Sequence, residues 1–230
     1  MSNTPSLPTK RRSVGQKILD AVTFPIRALT LFTEDGWGLS SLRTERFDYV
    51  ARFVHGLCLD IGCGEHNLFI RNFLGGHGQG FDVFAYEGLA QNELVTNLDH
   101  FPCADSTFDT VTLIACLNHI PVSARARELG EAYRCLKAGG RIVVTMGVPW
   151  AETLIHRVIA WYDRLFGTHY DMDTARGMAP GETYSVPAPC IRAHLAMAGF
   201  RNVSIHRFWT QWGLNRLFIG WKPIATPDMP

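Results

Sequence analysis

The sequence predicts an α/β protein: a doubly wound, mostly parallel seven-stranded sheet with an antiparallel C-terminal hairpin and a helical cap. Three observations lead there. Leu57-Cys58-Leu59-Asp60-Ile61 is an apolar run that ends in Gly62-Cys63-Gly64, the pattern of a buried parallel strand entering a tight turn. Four further strand-like runs alternate with helical stretches as far as Met146, which implies crossover connections and a parallel sheet. Two more runs, over 203–209 and 214–221, close the chain around a turn near Gly213 and have the form of a hairpin.

In chain order, residues 1–12 are polar, contain Pro5 and Pro8, and end in Lys10-Arg11-Arg12; disorder is expected there. Residues 14–31 carry apolar positions at helical spacing (Ile18, Leu19, Val22, Ile26, Leu29, Leu31), with a break expected near Pro25. This helix has two readings. It packs across a sheet edge or ligand mouth, or it lies on a membrane surface beside Lys10, Arg11, Arg12, Lys17 and Arg27. Gly36-Trp37-Gly38 marks a loop, and 44–54 a second helix. The first strand is expected over 56–61, a helix over 67–74 stopped by Gly75-Gly76, and a second strand over 80–84. A short crossover leads to a third strand over 94–98. The fourth, 110–115, is continuously apolar. Ser123 is the expected cap of a helix running to Leu136. Gly139-Gly140 ends it, and the fifth strand follows over 141–146. Beyond Pro149 an apolar-rich helix over 151–166 precedes a polar insertion, then a helix over 191–198.

The 230 residues and their 47% apolar composition suit one core. The expected organisation is a basic tail (1–12), an N-terminal helical cap (13–54) and one main domain (55–230) with an insertion at about 150–190. A net charge of +1 gives no strong field for holding nucleic acid. Six cysteines are scattered without a Cys-x-x-Cys pair, so neither a disulfide framework nor a zinc site is expected. A reducing cytoplasm fits best, with peripheral membrane contact through the N-terminal helix as the alternative. The apolar stretch over 18–32 is interrupted by Asp20, Pro25 and Arg27, unlike a signal peptide.

A lone Gly-x-Gly is weak evidence, but here further landmarks follow in order: Asp82, then Phe101-Pro102 with Ser106-Thr107-Phe108-Asp109, then Leu136-Lys137-Ala138-Gly139-Gly140-Arg141. Together they resemble the class I S-adenosylmethionine-dependent methyltransferases, over roughly residues 50–147. The resemblance implies that S-adenosylmethionine binds outside the carboxyl ends of the strands. It implies that Gly62 and Gly64 let backbone approach the methionine part and that Asp60 orients the loop or the cofactor's amino group. Asp82 would accept the ribose hydroxyls, with Glu87 as a weaker alternative. Asn97 and Leu98 would meet the adenine. Asp109 would orient backbone at a strand start, and Phe108 would belong to the core. The sequence departs from the family at His66, where many members carry a third glycine. A nicotinamide dehydrogenase shares the first landmark only, and its fingerprint wants that third glycine.

Methyl transfer is an in-line displacement, so alignment supplies much of the rate and a base is needed only when the acceptor must lose a proton. Asn118-His119 follows the fourth strand directly. His119 is the candidate base, with an orienting or purely structural role as alternatives. His169, Tyr170, Asp171, Asp173, Glu182 and Tyr184 form a polar group in the insertion, and His156 lies on the helix before it. Their spacing is too loose to read a metal site. Leu154, Ile155, Val158, Ile159, Trp161, Tyr162, Leu165 and Phe166 are more apolar groups than one solvated helix face needs; some are expected to cover the sheet, and others to line an acceptor pocket or meet the N-terminal helix. They point to a small-molecule, apolar or lipid-like acceptor. The alternatives are RNA or protein methylation, or a cofactor-binding partner subunit without catalysis.

Overall fold

The computed structural model describes residues 12–29, 35–95, 100–167, 183 and 185–224, without the side chains of residues 155, 156 and 159. Among them six strands form one sheet: β1 (Cys58–Ile61), β2 (Gly78–Phe81), β3 (Phe108–Ile114), β4 (Leu136–Gly147), β5 (Arg201–Arg207) and β6 (Asn215–Trp221). The spatial order is β2-β1-β3-β4-β6-β5. The first four strands are parallel, and β6 runs antiparallel to both β4 and β5. The helices are α1 (Val14–Leu29), α2 (Leu42–Ala51), α3 (Val122–Cys135), α4 (Pro149–Phe166) and α5 (Ala188–Met197).

Strand alternation divides the core between the two faces of the sheet. Ile142, Val144 and Met146 of β4 join Leu59, Phe108 and Phe200 in a core that α3 and α5 cover. Val143 points the other way, into Phe47, Val50, Phe69 and Phe208, where α2 packs. Each such aliphatic or aromatic side chain contributes about 1.5–3 kcal/mol when fully buried. All four parallel strands therefore present their carboxyl ends along one rim.

Among the described residues the sheet has six strands rather than the expected seven, and the third expected strand (94–98) is not one of the six. Its first residue, Leu94, makes a single parallel bridge to Asp82, and residues 96–99 lie outside the described residues. The segment before it forms a 3₁₀ turn over Gln91–Glu93, from which Glu93 O accepts the Asp82 amide at 2.9 Å. The helix expected over 67–74 is also replaced, by a 3₁₀ turn (Glu65–Asn67) and a π-turn (Phe69–Phe73). His66 and Asn67 adopt positive φ, which a regular helix does not tolerate. Ser123 does not cap α3: Pro121 occupies the N-cap, and Ser123 sits within the helix. β4 starts at Leu136, earlier than expected, and absorbs the Gly139-Gly140 turn through a register shift against β3.

Cys103 and Cys135 form a disulfide, with Cα atoms 6.3 Å apart, where the scattered cysteines had suggested none. The pairing follows from chain geometry. Ser106 N donates to Arg134 O and Thr107 N to Cys135 O, which lays the 103–107 loop against the end of α3.

α1 runs unbroken through Pro25. Proline cannot donate to the carbonyl of Ala21, one helical turn earlier, and the indole Nε1 of Trp212 donates to that oxygen at 2.9 Å. The facing of α1 differs from a simple amphipathic reading. Its buried side chains are Asp20, Phe24 and Arg27, and Val14, Ile18, Leu19, Val22 and Leu29 are exposed. Leu31 lies outside the described residues. The inward charges are fully bonded: Arg27 donates to Ser40 O (2.7 Å), Asp20 O (2.6 Å) and Glu45 Oε2 (3.1 Å). Asp20 accepts from Gln16 and Ser40.

Candidate cofactor and acceptor site

The site forms where β1 ends and the chain turns through Gly62-Cys63-Gly64. Gly62 and Cys63 both donate their amides to Phe81 O, at 2.8 and 3.1 Å, which pins the turn over the end of β2. Gly62 has φ 74°, and a Cβ there would collide with Cys116 Sγ. Gly64 has φ 64°, and the space where its Cβ would stand is open. The first glycine is required by a close approach inside the protein. The second leaves bare backbone facing outward.

Asp82, the residue immediately after β2, secures this loop. Its Oδ2 accepts the Gly64 amide at 2.9 Å and its Oδ1 the Phe84 amide at 3.0 Å. A carboxylate offers about four lone-pair sites, so both oxygens retain acceptor capacity. Glu87 is exposed, and its carbonyl accepts the His66 amide at 2.8 Å. His66 takes φ 56°, the left-handed conformation that glycine adopts without penalty, and its ring packs on Gly88. The missing third glycine therefore leaves the path of the backbone intact. Asn67 packs against Gly80 and donates to Glu93 Oε1 at 2.8 Å, tying the loop to the segment that follows β2.

Asp60 lies beneath the loop and is buried. It stands opposite Thr112 in the β1–β3 register, and the Thr112 hydroxyl donates to Oδ1 at 2.6 Å. Burial, reinforced by the charge of Asp82, pushes the Asp60 carboxyl up to about 7, against the pull of that hydrogen bond. Burial likewise raises the thiols of Cys58 and Cys63, so neither is a nucleophile at neutral pH.

On the next strand, β3 ends in a sharp turn at Ala115 (φ 52°), whose amide donates to Thr145 Oγ1 at 2.9 Å. That turn brings Cys116 under Gly62 and carries the chain to Asn118-His119. Asn118 is buried, His119 half-buried, and Asn118 Nδ2 lies 3.1 Å from His119 Nε2. When the amide donates, Nε2 is the acceptor and the ring proton sits on Nδ1. Arg125 braces this turn. It donates to Ile120 O (2.9 Å) and to Thr183 Oγ1 (3.0 Å), while Thr183 N donates to Asn118 O (3.1 Å). At the foot of the sheet, Asp109 accepts the Leu57 amide and Lys137 Nζ, each at 2.9 Å, and Phe108 is in the core.

The structure therefore brings Asp60, Gly62, Gly64 and Asp82 together and sets His119 on the same rim. Asn97 and Leu98 lie outside the described residues, as do His169, Tyr170, Asp171, Asp173, Glu182 and Tyr184. Among the described residues no cluster suits a metal ion. Thr112 and Arg125 were not singled out from the sequence. A polar residue inside an apolar strand run was the available signal for Thr112.

A methyltransferase-domain family model matches residues 38–179, and the chain belongs to that family. Demethylmenaquinone methyltransferase of Lactiplantibacillus plantarum is 34% identical over 125 residues, a match covering 49% of this chain and 49% of that protein. The chain thus spans about half the length of this curated relative. Among solved structures, a Thermotoga maritima S-adenosylmethionine-dependent methyltransferase superposes with a TM-score of 0.54 at 16% identity, covering 78% of this chain and 89% of that one. Haemonchus contortus phosphoethanolamine N-methyltransferase 2, in complex with phosphomonomethylethanolamine and S-adenosylhomocysteine, gives 0.53 at 13% identity, covering 92% and 61%. At such identities these structures establish the shared fold.

The residues present fit S-adenosylmethionine, the cofactor that the sequence resemblance implies. Gly64 offers open backbone, Asp82 offers free acceptor positions for a diol, and the carboxyl groups of Asp60 and Asp82 give the site the negative sign that a cationic sulfonium requires.

Proposed function

We propose that the protein transfers a methyl group from S-adenosylmethionine to a small, lipid-like acceptor of the quinone kind. The observation that carries this reading is the 34% identity over 125 residues to a demethylmenaquinone methyltransferase. The apolar composition of α4, which leaves the carboxyl end of β4 directly, supports it.

When bound, S-adenosylmethionine supplies an electrophilic methyl group, and the acceptor's lone pair displaces the sulfide in line. The chain's own part is positional. The turn at Gly62 and Gly64, locked by Asp82, fixes one reactant. The rim at Asn118-His119 and the start of α4 aligns the other. His119 is the proposed base for an acceptor that must lose a proton. In that role Nε2 exchanges the Asn118 amide for the acceptor's hydroxyl.

Incubation with methyl-labelled cofactor and a demethylmenaquinone, beside RNA and protein acceptors, tests the reading. Label in the extracted quinone supports it. Label only in RNA or protein overturns it, and tight cofactor binding without turnover on any acceptor favours a partner-subunit role. His119→Gln then lowers kcat by 10²-fold or more, within the usual range for a lost base, and flattens the acidic limb of the pH–rate profile. Trp161→Ala weakens acceptor binding more than cofactor binding; equal loss in a folded protein contradicts an acceptor role for α4.

A further inference from the structure

Two helices of this protein present apolar side chains outward. α1 turns Asp20 and Arg27 into the protein and leaves Val14, Val22 and Leu29 at least 70% exposed, with Ile18 between them at helical spacing. α4 does the same. Of its described side chains only Ala151 is buried, while Trp150, Leu154, Trp161, Leu165 and Phe166 are exposed. Scattered exposed apolar residues are ordinary, but two helices of them are not.

The helices are joined at one place. α1 rests on the turn after β5, through the Trp212 indole on Ala21 O and the Phe24–Trp212 ring contact. The start of α4 rests on the same turn, through Val148 N on Leu214 O at 2.8 Å. Trp209 and Trp212, both exposed, stand between them. This turn lies beside Gly147, the carboxyl end of β4, and so on the rim that carries the cofactor loop.

The charges that stand exposed on these helices are both basic. Arg157 and Arg164 are exposed, whereas Asp20 is buried and Glu152 and Asp163 are half-buried. A protein partner, or a second copy of this chain, would need no such bias. An anionic lipid surface does: apolar side chains enter the acyl boundary, indoles sit at the headgroups, and arginines meet phosphate. No helix among the described residues is long and apolar enough to cross a membrane.

We infer that α1 and α4 form the surface by which this protein docks on an anionic lipid bilayer, with the rim of the active site facing the membrane. The docking serves a lipid-like acceptor, which leaves the bilayer next to the cofactor loop, and in that respect it rests on the proposed function.

The test is co-sedimentation of the full chain with phosphatidylcholine vesicles, with and without phosphatidylglycerol, in the absence of cofactor and acceptor. Docking is thus measured whether or not the acceptor assignment holds. Binding is expected on the mixed vesicles, about tenfold weaker on phosphatidylcholine alone or with Arg157→Glu and Arg164→Glu together, and falling with salt. Val22→Asp combined with Leu154→Asp abolishes it, while circular dichroism and cofactor affinity stay unchanged, since both sites are exposed. Absence of vesicle binding, or binding indifferent to these substitutions, overturns the inference. So does a dimer in light scattering that the same substitutions dissociate, which assigns the surface to a second copy.

Discussion

The Sγ of Cys116, at the end of β3, occupies the space into which a side chain at Gly62, at the end of β1, would grow. Two neighbouring parallel strands are thereby closed together at the point where the Gly62–Gly64 turn begins. With φ at 74°, Gly62 also holds a conformation that strains any side chain. Gly62→Ala is expected to destabilise the fold by about 2 kcal/mol or more and to weaken cofactor binding. Cys116→Ala in the same chain relieves the collision but not the backbone strain, so thermal denaturation should show partial recovery. Full recovery would mean that backbone conformation at Gly62 is unimportant.

Asp60 titrates near neutrality because burial outweighs its bond to Thr112. A cationic ligand in the adjoining loop favours the carboxylate, so affinity for S-adenosylmethionine should rise with pH through about 7, with proton release on binding. Calorimetry in buffers of different ionisation enthalpy measures the release. Asp60→Asn should bind more weakly and lose the pH dependence.

Burial raises the carboxyl of Glu128, on α3, to about 7, against a smaller opposite effect of Arg127. The sign of its linkage to stability is set by that increase. Between the unfolded value, near 4.5, and about 7, the folded chain holds the proton more tightly, so stability falls as pH rises and the full penalty applies above 7. Glu128→Gln is thus expected to raise stability at pH 8 by up to about 3 kcal/mol and to change little at pH 4. Chemical denaturation at both values checks it.

The Arg27–Glu45 pair is buried on both sides, at 3.1 Å. Removing one partner leaves an uncompensated charge, and Arg27→Ala should lose about 3–5 kcal/mol. Replacing both with apolar residues of similar volume, Arg27→Met with Glu45→Leu, should recover most of that loss in urea titrations.

How much of this was legible depends on the range of the interactions. The Leu57–Gly64 strand and turn, the closing hairpin and the Asp109 anchor are local patterns that hydrogen bonding then fixes, and they appear where the sequence places them. That Asp60, Gly62, Gly64 and Asp82 come together was readable because the ends of two neighbouring parallel strands place them side by side. The facing of α1 was not. Periodicity identifies an apolar stripe but not its neighbour, and the polar stripe is claimed by Ser40 and Glu45, with Gln211 bonding the same Glu45 carboxylate from far along the chain. The Cys103–Cys135 link joins residues 32 apart that no spacing rule pairs. Of the expected third strand, only Leu94 and Val95 lie among the described residues, and both pair with Asp82 at the end of β2.

The most direct test of the central claim is calorimetric titration with S-adenosylmethionine of the wild-type chain and of Asp82→Ala, which frees the Gly64 amide from its 2.9 Å bond. Micromolar binding to the wild type and a loss of about tenfold or more in the variant are expected, in line with removal of a hydrogen bond to a charged group. Wild-type protein that binds no S-adenosylmethionine, or a folded Asp82→Ala variant that binds it equally well, would contradict it.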